Sequence, residues 1–495
     1  MPISVRSRAT HFVHAMPGSE GISGIEQRSI DYVPESERHG LVGDQGPFWF
    51  LSNFQFFAIA IGFVGPSLGL SLGYTALAGT LGILIGTVFL AFHASQGAEL
   101  GLPQMIQSRA QFGYRGVIVP LIGTLISLIG YNVVSTVLVS QGLHTLWAVN
   151  RAVGAIVISA LAATLAIWGY DWLHRAFKVM FWVSLPLYTL LTLAIIGGQI
   201  GGGAPATGGF NWPAFVTQLA SAASFNVTSA PYVSDYSRYL PRDTPRGRII
   251  LSVFAGAALS AIWLITLGAW LATHLGSDDG LLALKQAGDT LASGLGSVLA
   301  AVSMTALVAT VGMNAYSSML TFLTTVDSVR PLRPTRRLRV VVIGAVTLLW
   351  IAVALSFGTR VVVYVNGMLV IMLYFLMPWT AVNLIDYFLL RKGRYSIVDL
   401  FRPNGIYGAW SARGLIAYGV GFAASVPFFV VPDVYTGPLA DRLGGVDFGW
   451  LVSVAVGALT YLLLSRRFDP RSEAPAVAAS ERELGIREHR LQVGD

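Results

Sequence analysis

The 495-residue chain has no cysteine, and only 12% of its residues are charged, about half the share of a soluble protein. The first absence excludes a disulfide framework and any thiolate metal site. The second excludes a large water-soluble enzyme, because so few charges cannot coat a core of this size. The first 45 residues hold no short apolar run with a cleavage site, so no signal peptide is expected and insertion begins at an internal segment. The eight histidines show no HExxH-like spacing, and the tails are too short for a soluble output domain. Neither an enzyme nor a sensor is the expected class.

What the chain has instead is apolar length. A helix needs about 20 apolar residues to cross a bilayer, and about twelve such segments can be read along the chain. They lie at 48–71, 75–96, 117–143, 152–170, 177–198, 212–235, 249–274, 291–325, 338–357, 361–389, 413–432 and 448–465. The expected fold class is an all-α polytopic membrane protein. Arginine and lysine concentrate in alternate connections: Arg109 and Arg115, Arg175 and Lys178, Arg238 to Arg248, Arg336 to Arg339, and Arg391 to Arg394. The other connections carry far fewer, such as Arg151, Lys285 and Arg442. By the positive-inside rule both termini are cytoplasmic and the chain sits in the cell membrane. These basic loops lack interleaved aromatic platforms, so no nucleic-acid partner is expected, and no protein partner is implied.

Two segments break the apolar rule. The first contains GFVGPSLGLSLG, and the sixth runs into SFNVTSAPYVSDYSRYLPRDT. Irregular backbone at membrane depth is tolerated only where protein or a cavity surrounds it. The two lie five segments apart and so enter from opposite sides, as an inverted repeat of two five-helix halves requires. The expected organisation is an N-terminal tail at 1–46, repeats at 47–200 and 201–390, two extra helices within 391–467, and a C-terminal tail at 468–495. Both tails are expected to be polar and mobile. Phe225 to Thr228 is read as an unwound hinge, followed by a helix end at Asp235 anchored by arginines. Asp235 and Asp386 read as helix-end ion pairs, and His93 and Glu99 as inner-end residues of the second segment.

The polar residues within the segments are uncharged. The third carries GYNVVSTVLVSQ, with Tyr131 and Ser135 one helical turn apart on one face. The eighth carries Thr310, Asn314, Ser317 and Ser318, and the tenth carries Asn366. Amides, hydroxyls and rings suit a flat, neutral, hydrogen-bonding ligand. A cation bound without a midplane carboxylate would need backbone carbonyls and hydroxyls.

Four blocks carry a resemblance: EQRSIDYVPESERHG, ELGLPQMIQSRAQFGYRG, APYVSDYSRYLPRDT and MPWTAVNLIDYFLLRKGRYSIVDLF. They resemble the nucleobase–cation symporters, purine–cytosine permease branch, across residues 25 to 405. The resemblance implies a leucine-transporter fold of twelve helices, alternating access, and import of a nucleobase such as cytosine or a purine with H+ or Na+. Allantoin, a hydantoin or a pyridoxine- or thiamine-type vitamin is the alternative cargo. No cofactor is implied. The family's ring-stacking aromatic matches Tyr131, after Gly130, and a polar position one turn later matches Ser135. The partner aromatic, counted back from Asp235, falls on Asn226 with Phe225 beside it, and a polar position two later falls on Thr228. Asn314 and Asn366 match further polar positions. A cation would be held by carbonyls near Ala58 and Ile61 and the hydroxyl of Thr310. The next positions, Val311 and Gly312, lack the second hydroxyl frequent in sodium-coupled members, which weakens the sodium reading.

Overall fold

The computed structural model describes residues 26, 28–201, 208–276, 279–332, 334–356, 361–431 and 434–486, with the backbone alone at 361–366 and 369. Among these residues the fold is helical apart from a two-residue antiparallel pair, Val430–Val431 with Tyr435–Thr436. Among the described residues eight helices are long and apolar enough to cross a membrane, or up to ten if each of two bent pairs is one span. The expected twelve are not reached by this measure. The sixth and eleventh segments form helices of only 16 and 14 residues, Trp212–Val227 and Ala412–Ser425. Large apolar side chains such as Trp182, Leu193 and Leu348 are exposed on the outer helix faces. Such a surface is stable in hydrocarbon and costly in water.

The first segment bends before its glycines and proline, and is interrupted a second time among them, at Phe63. Val42–Asn53 and Phe56–Ser67 meet at 57°, with Phe54 and Gln55 non-helical between them. The Gly/Pro run then ends the segment, and Leu70 bridges to Gly209 just beyond it. In the sixth segment the helix continues through Val227 and breaks at Thr228–Tyr232, around Pro231. Phe225 and Asn226 are therefore helical, and the hinge lies one turn later than expected. Proline explains the shift, since it removes a donor and crowds the preceding turn. A helix absent from the sequence reading, Gly280–Leu291, is capped by Asp279, which accepts from the backbone N–H groups of Leu281 (2.8 Å) and Leu282 (3.1 Å).

Two groups of helices emerge from the packing. The first, second, sixth and seventh segments pack together, and the third, fourth, eighth and ninth form a second group. The first group is joined backbone to backbone. A Cβ on Gly82 or Gly86 would come within 2.2 Å of the carbonyl oxygen of Leu219 or Ala223 in the sixth segment. One on Gly268 would meet the Ile59 carbonyl at the same distance.

The tails are less free than expected. Ile30, Tyr32 and Val33 are buried, and Glu473 pairs with Arg391 at 2.8 Å. At the arginine-rich end, Glu26 joins Arg238 (3.1 Å), Arg339 (3.0 Å) and the hydroxyls of Tyr316 (2.8 Å) and Tyr239. Burial pushes this carboxyl up, but the two guanidiniums and the tyrosine hydroxyls outweigh it and hold it below the ordinary glutamate range. Arg109, which the loop pattern marks only as a topology signal, is fully buried. It pairs with Asp327 at 2.8 Å and donates to the Leu400 carbonyl at 3.1 Å.

Candidate functional site

Both helix breaks come together on the third and eighth segments. At the first break Gln55 is in extended backbone and caps Phe56–Gly62, its side chain accepting from the Phe57 N–H (2.5 Å). Its amide also donates to the Tyr131 hydroxyl at 3.2 Å. One residue on, Phe57 lies nearly parallel to Tyr131, with centroids 4.6 Å apart and planes 18° apart. Phe225 completes a triangle of rings, 5.9 Å from Phe57 and 6.4 Å from Tyr131. The offsets are those aromatic quadrupoles prefer.

Beside this cluster Ser127, Leu128, Tyr131, Thr228, Tyr232 and Asn314 line a collapsed crevice. No point in it admits a water-sized sphere, so any ligand enters only after the walls part. The structure thus gathers three of the expected residues, Tyr131, Thr228 and Asn314, with Phe225 against the Tyr131 ring. Asn314 is almost wholly buried, and its side-chain carbonyl has no partner among the described residues. Such a group is rare in a native interior and calls for an explanation. No arginine or lysine lines the crevice.

The other expected residues lie elsewhere. Asn226 faces away from the rings: its carbonyl accepts from the Asn53 amide (2.6 Å), and its own amide donates to the Thr87 hydroxyl (2.6 Å). Asn226→Ala removes two buried hydrogen bonds, while the Asn53 amide keeps the Ala257 carbonyl and the Thr87 hydroxyl keeps the Ile83 carbonyl. It is expected to lower stability by about 1–3 kcal/mol, read as an earlier thermal unfolding in detergent. Ser135 is buried without a partner among the described residues and does not line the crevice, whereas Ser127, one turn before Tyr131, does. The Asn366 side chain lies outside the described residues. Ala58 and Ile61 are buried in the helix after the first break. The Thr310 hydroxyl donates instead towards the Ser52 carbonyl, before the break, at 3.4 Å, and to Ala306 at 3.2 Å.

Phe57, Tyr232, Ser127 and Gln55 were missed. Gln55 carried a signal, as Ser52, Asn53 and Gln55 interrupt an apolar segment with side chains able to satisfy a broken backbone. The aromatics carried none, since a ring among apolar residues reads as lipid-facing or core.

The polar residues at the arginine-rich end divide as follows. Asp386 pairs with Arg391 and accepts from Gln111, Tyr395 and Tyr461. Asp235 has no ion-pair partner within 4.0 Å among the described residues, because Arg238 turns to Glu26. His93 stacks on Trp379 with centroids 4.6 Å apart, and Glu99 pairs with Arg246.

Residues 32–453 match the model of a family described as permeases for cytosine/purines, uracil, thiamine and allantoin. A putative purine-cytosine permease of Bacillus subtilis (strain 168) is 32% identical over 445 residues, spanning 89% of this chain and 96% of that one. A purine-cytosine permease of Emericella nidulans is 26% identical over 468 residues, 89% of this chain and 88% of its own. Among solved structures, a nucleobase-cation-symport-1 family transporter in a closed conformation with bromovinylhydantoin bound matches with a TM-score of 0.70. It is 19% identical and covers 92% of this chain and 99% of that chain.

Proposed function

The chain belongs to the permease family for cytosine/purines, uracil, thiamine and allantoin, and on that footing we propose that it imports a nucleobase by cation symport. Membership makes it a membrane transporter rather than an enzyme, and its fold is the leucine-transporter-like helical bundle expected. The observation that carries the substrate reading is the unpartnered Asn314 carbonyl beside Tyr131, in a crevice without charge. A flat neutral heterocycle meets both, stacking on the ring and donating an N–H to the amide. Thr228 and Ser127 supply hydroxyls, and Phe225 and Phe57 hold the Tyr131 ring. Phe57 covers one face of Tyr131, so the ligand stacks from the other.

In this reading the two repeats divide at 200/201, the arginine-rich end with both termini is cytoplasmic, and the membrane is the cell membrane. The solved relative's membership of the nucleobase-cation-symport-1 family supports a co-transported cation, H+ or Na+. The family description also supports a second cargo class, allantoin or thiamine.

The test is a thermal-shift screen of the purified protein against cytosine, adenine, hypoxanthine, uracil, allantoin and thiamine, with and without sodium. Stabilisation grows with ligand concentration over Kd, so the cargo and its ion requirement are ranked together. A nucleobase is expected to give the largest shift. A larger shift with allantoin or thiamine would move the reading to that class.

A further inference from the structure

Building on the transport reading above, we propose that the co-transported cation is a proton and that the Asp235 carboxylate carries it. Asp235 is 2% exposed. The other buried carboxylates at segment ends of this face, Asp327 and Asp386, each hold an arginine. Asp235 instead accepts from the Gln104 backbone N–H at 3.1 Å and from Ser317. A carboxylate sealed from water with no arginine in direct ion-pair contact, Arg238 being spent on Glu26, is costly when ionised, and a proton removes that cost. Binding the proton is then a condition for closing this part of the bundle. Opening it to cytoplasmic water restores hydration and releases the proton.

The position links this event to the cargo. Asp235 sits on the short helix Val233–Ser237, directly after the break at Thr228–Tyr232. Thr228 and Tyr232 line the crevice, so a shift of this hinge moves the crevice wall and the carboxylate together. The groups facing Asp235 are Arg238, Tyr232 and Tyr236 of its own segment, Tyr316 of the eighth, and Glu26 of the N-terminal segment. Gln104 ties it to His93 of the second segment, whose Nδ1 lies 3.4 Å from the Gln104 amide. The alternative ion has few side-chain ligands here: beyond the Thr310 hydroxyl oxygen, Val311 and Gly312 add no oxygen side chain.

The test uses the full chain in proteoliposomes with radiolabelled cytosine, adenine and hypoxanthine and a trapped pH dye. Wild type is expected to accumulate one of these bases under an inside-alkaline gradient without sodium, and to acidify the lumen as it does so. Asp235→Asn is expected still to exchange labelled for unlabelled base, while gradient-driven accumulation falls by about tenfold or more and acidification is lost. Asp235→Glu is expected to restore both with a shifted pH profile. Accumulation by Asp235→Asn at the wild-type level overturns the proposal. So does a wild type that needs sodium and moves no protons, which decides the matter even where Asp235→Asn does not fold. Absence of both exchange and uptake in wild type for all three bases instead defeats the nucleobase reading, and the proton proposal with it.

Discussion

Tyr131→Ala is expected to bring saturable uptake of the transported base down to background while the protein still reaches the membrane. Stacking of a base on an aromatic ring contributes about 1–3 kcal/mol, up to roughly a hundredfold in affinity. Here the loss is larger than one stack, because Tyr131 also positions Phe57 at 4.6 Å and Phe225 at 6.4 Å. Tyr131→Phe keeps the ring and removes only the bond from Gln55, so it is expected to retain most uptake with a modestly weaker KM. Initial rates over a concentration series, normalised to protein detected in the membrane fraction, measure both. Undiminished saturable uptake by Tyr131→Ala would sink the proposed pocket.

The second large effect concerns folding. Glu26→Ala leaves Arg238 and Arg339, both buried, without their shared carboxylate. Removing one partner from a buried ion pair costs about 3–5 kcal/mol, most of it the penalty of the stranded charge. A lower melting temperature on heating followed by size exclusion is the expected result, with Glu26→Gln intermediate because its amide still accepts hydrogen bonds. The sign with pH follows from the depressed carboxyl. Its stabilisation is fully present above the ordinary glutamate range and is lost as the pH falls through the lower folded value. Wild type should therefore lose stability in acid more steeply than Glu26→Gln, and parallel melting curves against pH would refute this role for Glu26.

The architecture was legible because apolar length and loop charge are properties of composition, which lipid enforces along every segment. The breaks were legible as to segment but not position. Glycine and proline at 62–73 drew attention to the end of the first segment, yet the chain bends before them, at Phe54 and Gln55, where side-chain amides replace the lost backbone partners. In the sixth segment, counting back from Asp235 gave Asn226, and the helix then turned Asn226 to Asn53 and Thr87 and left Phe225 on the rings. A one-residue step on a helix is 100° of rotation, which spacing alone cannot resolve. The charged hubs were hidden for another reason. Positive-inside counting treats Arg109 and Arg339 as markers of a side, and only packing shows that both are buried in ion pairs.

The glycine contacts have a consequence for which movements cost least. Where Gly82, Gly86 and Gly268 press against facing carbonyls, neither helix can translate without backbone atoms colliding, so the joined segments are stiff against sliding. Around the crevice the opposed atoms are ring faces and side-chain tips, with Phe57 and Phe225 on one group of helices and Tyr131 and Asn314 on the other. Those re-form after displacement by rotamer changes alone. Packing of this kind is stiffer within the first group of helices than across the ring cluster. In the proposed reading, a cargo stacked on Tyr131 would occupy that softer junction, and its size would set how far the two groups can approach.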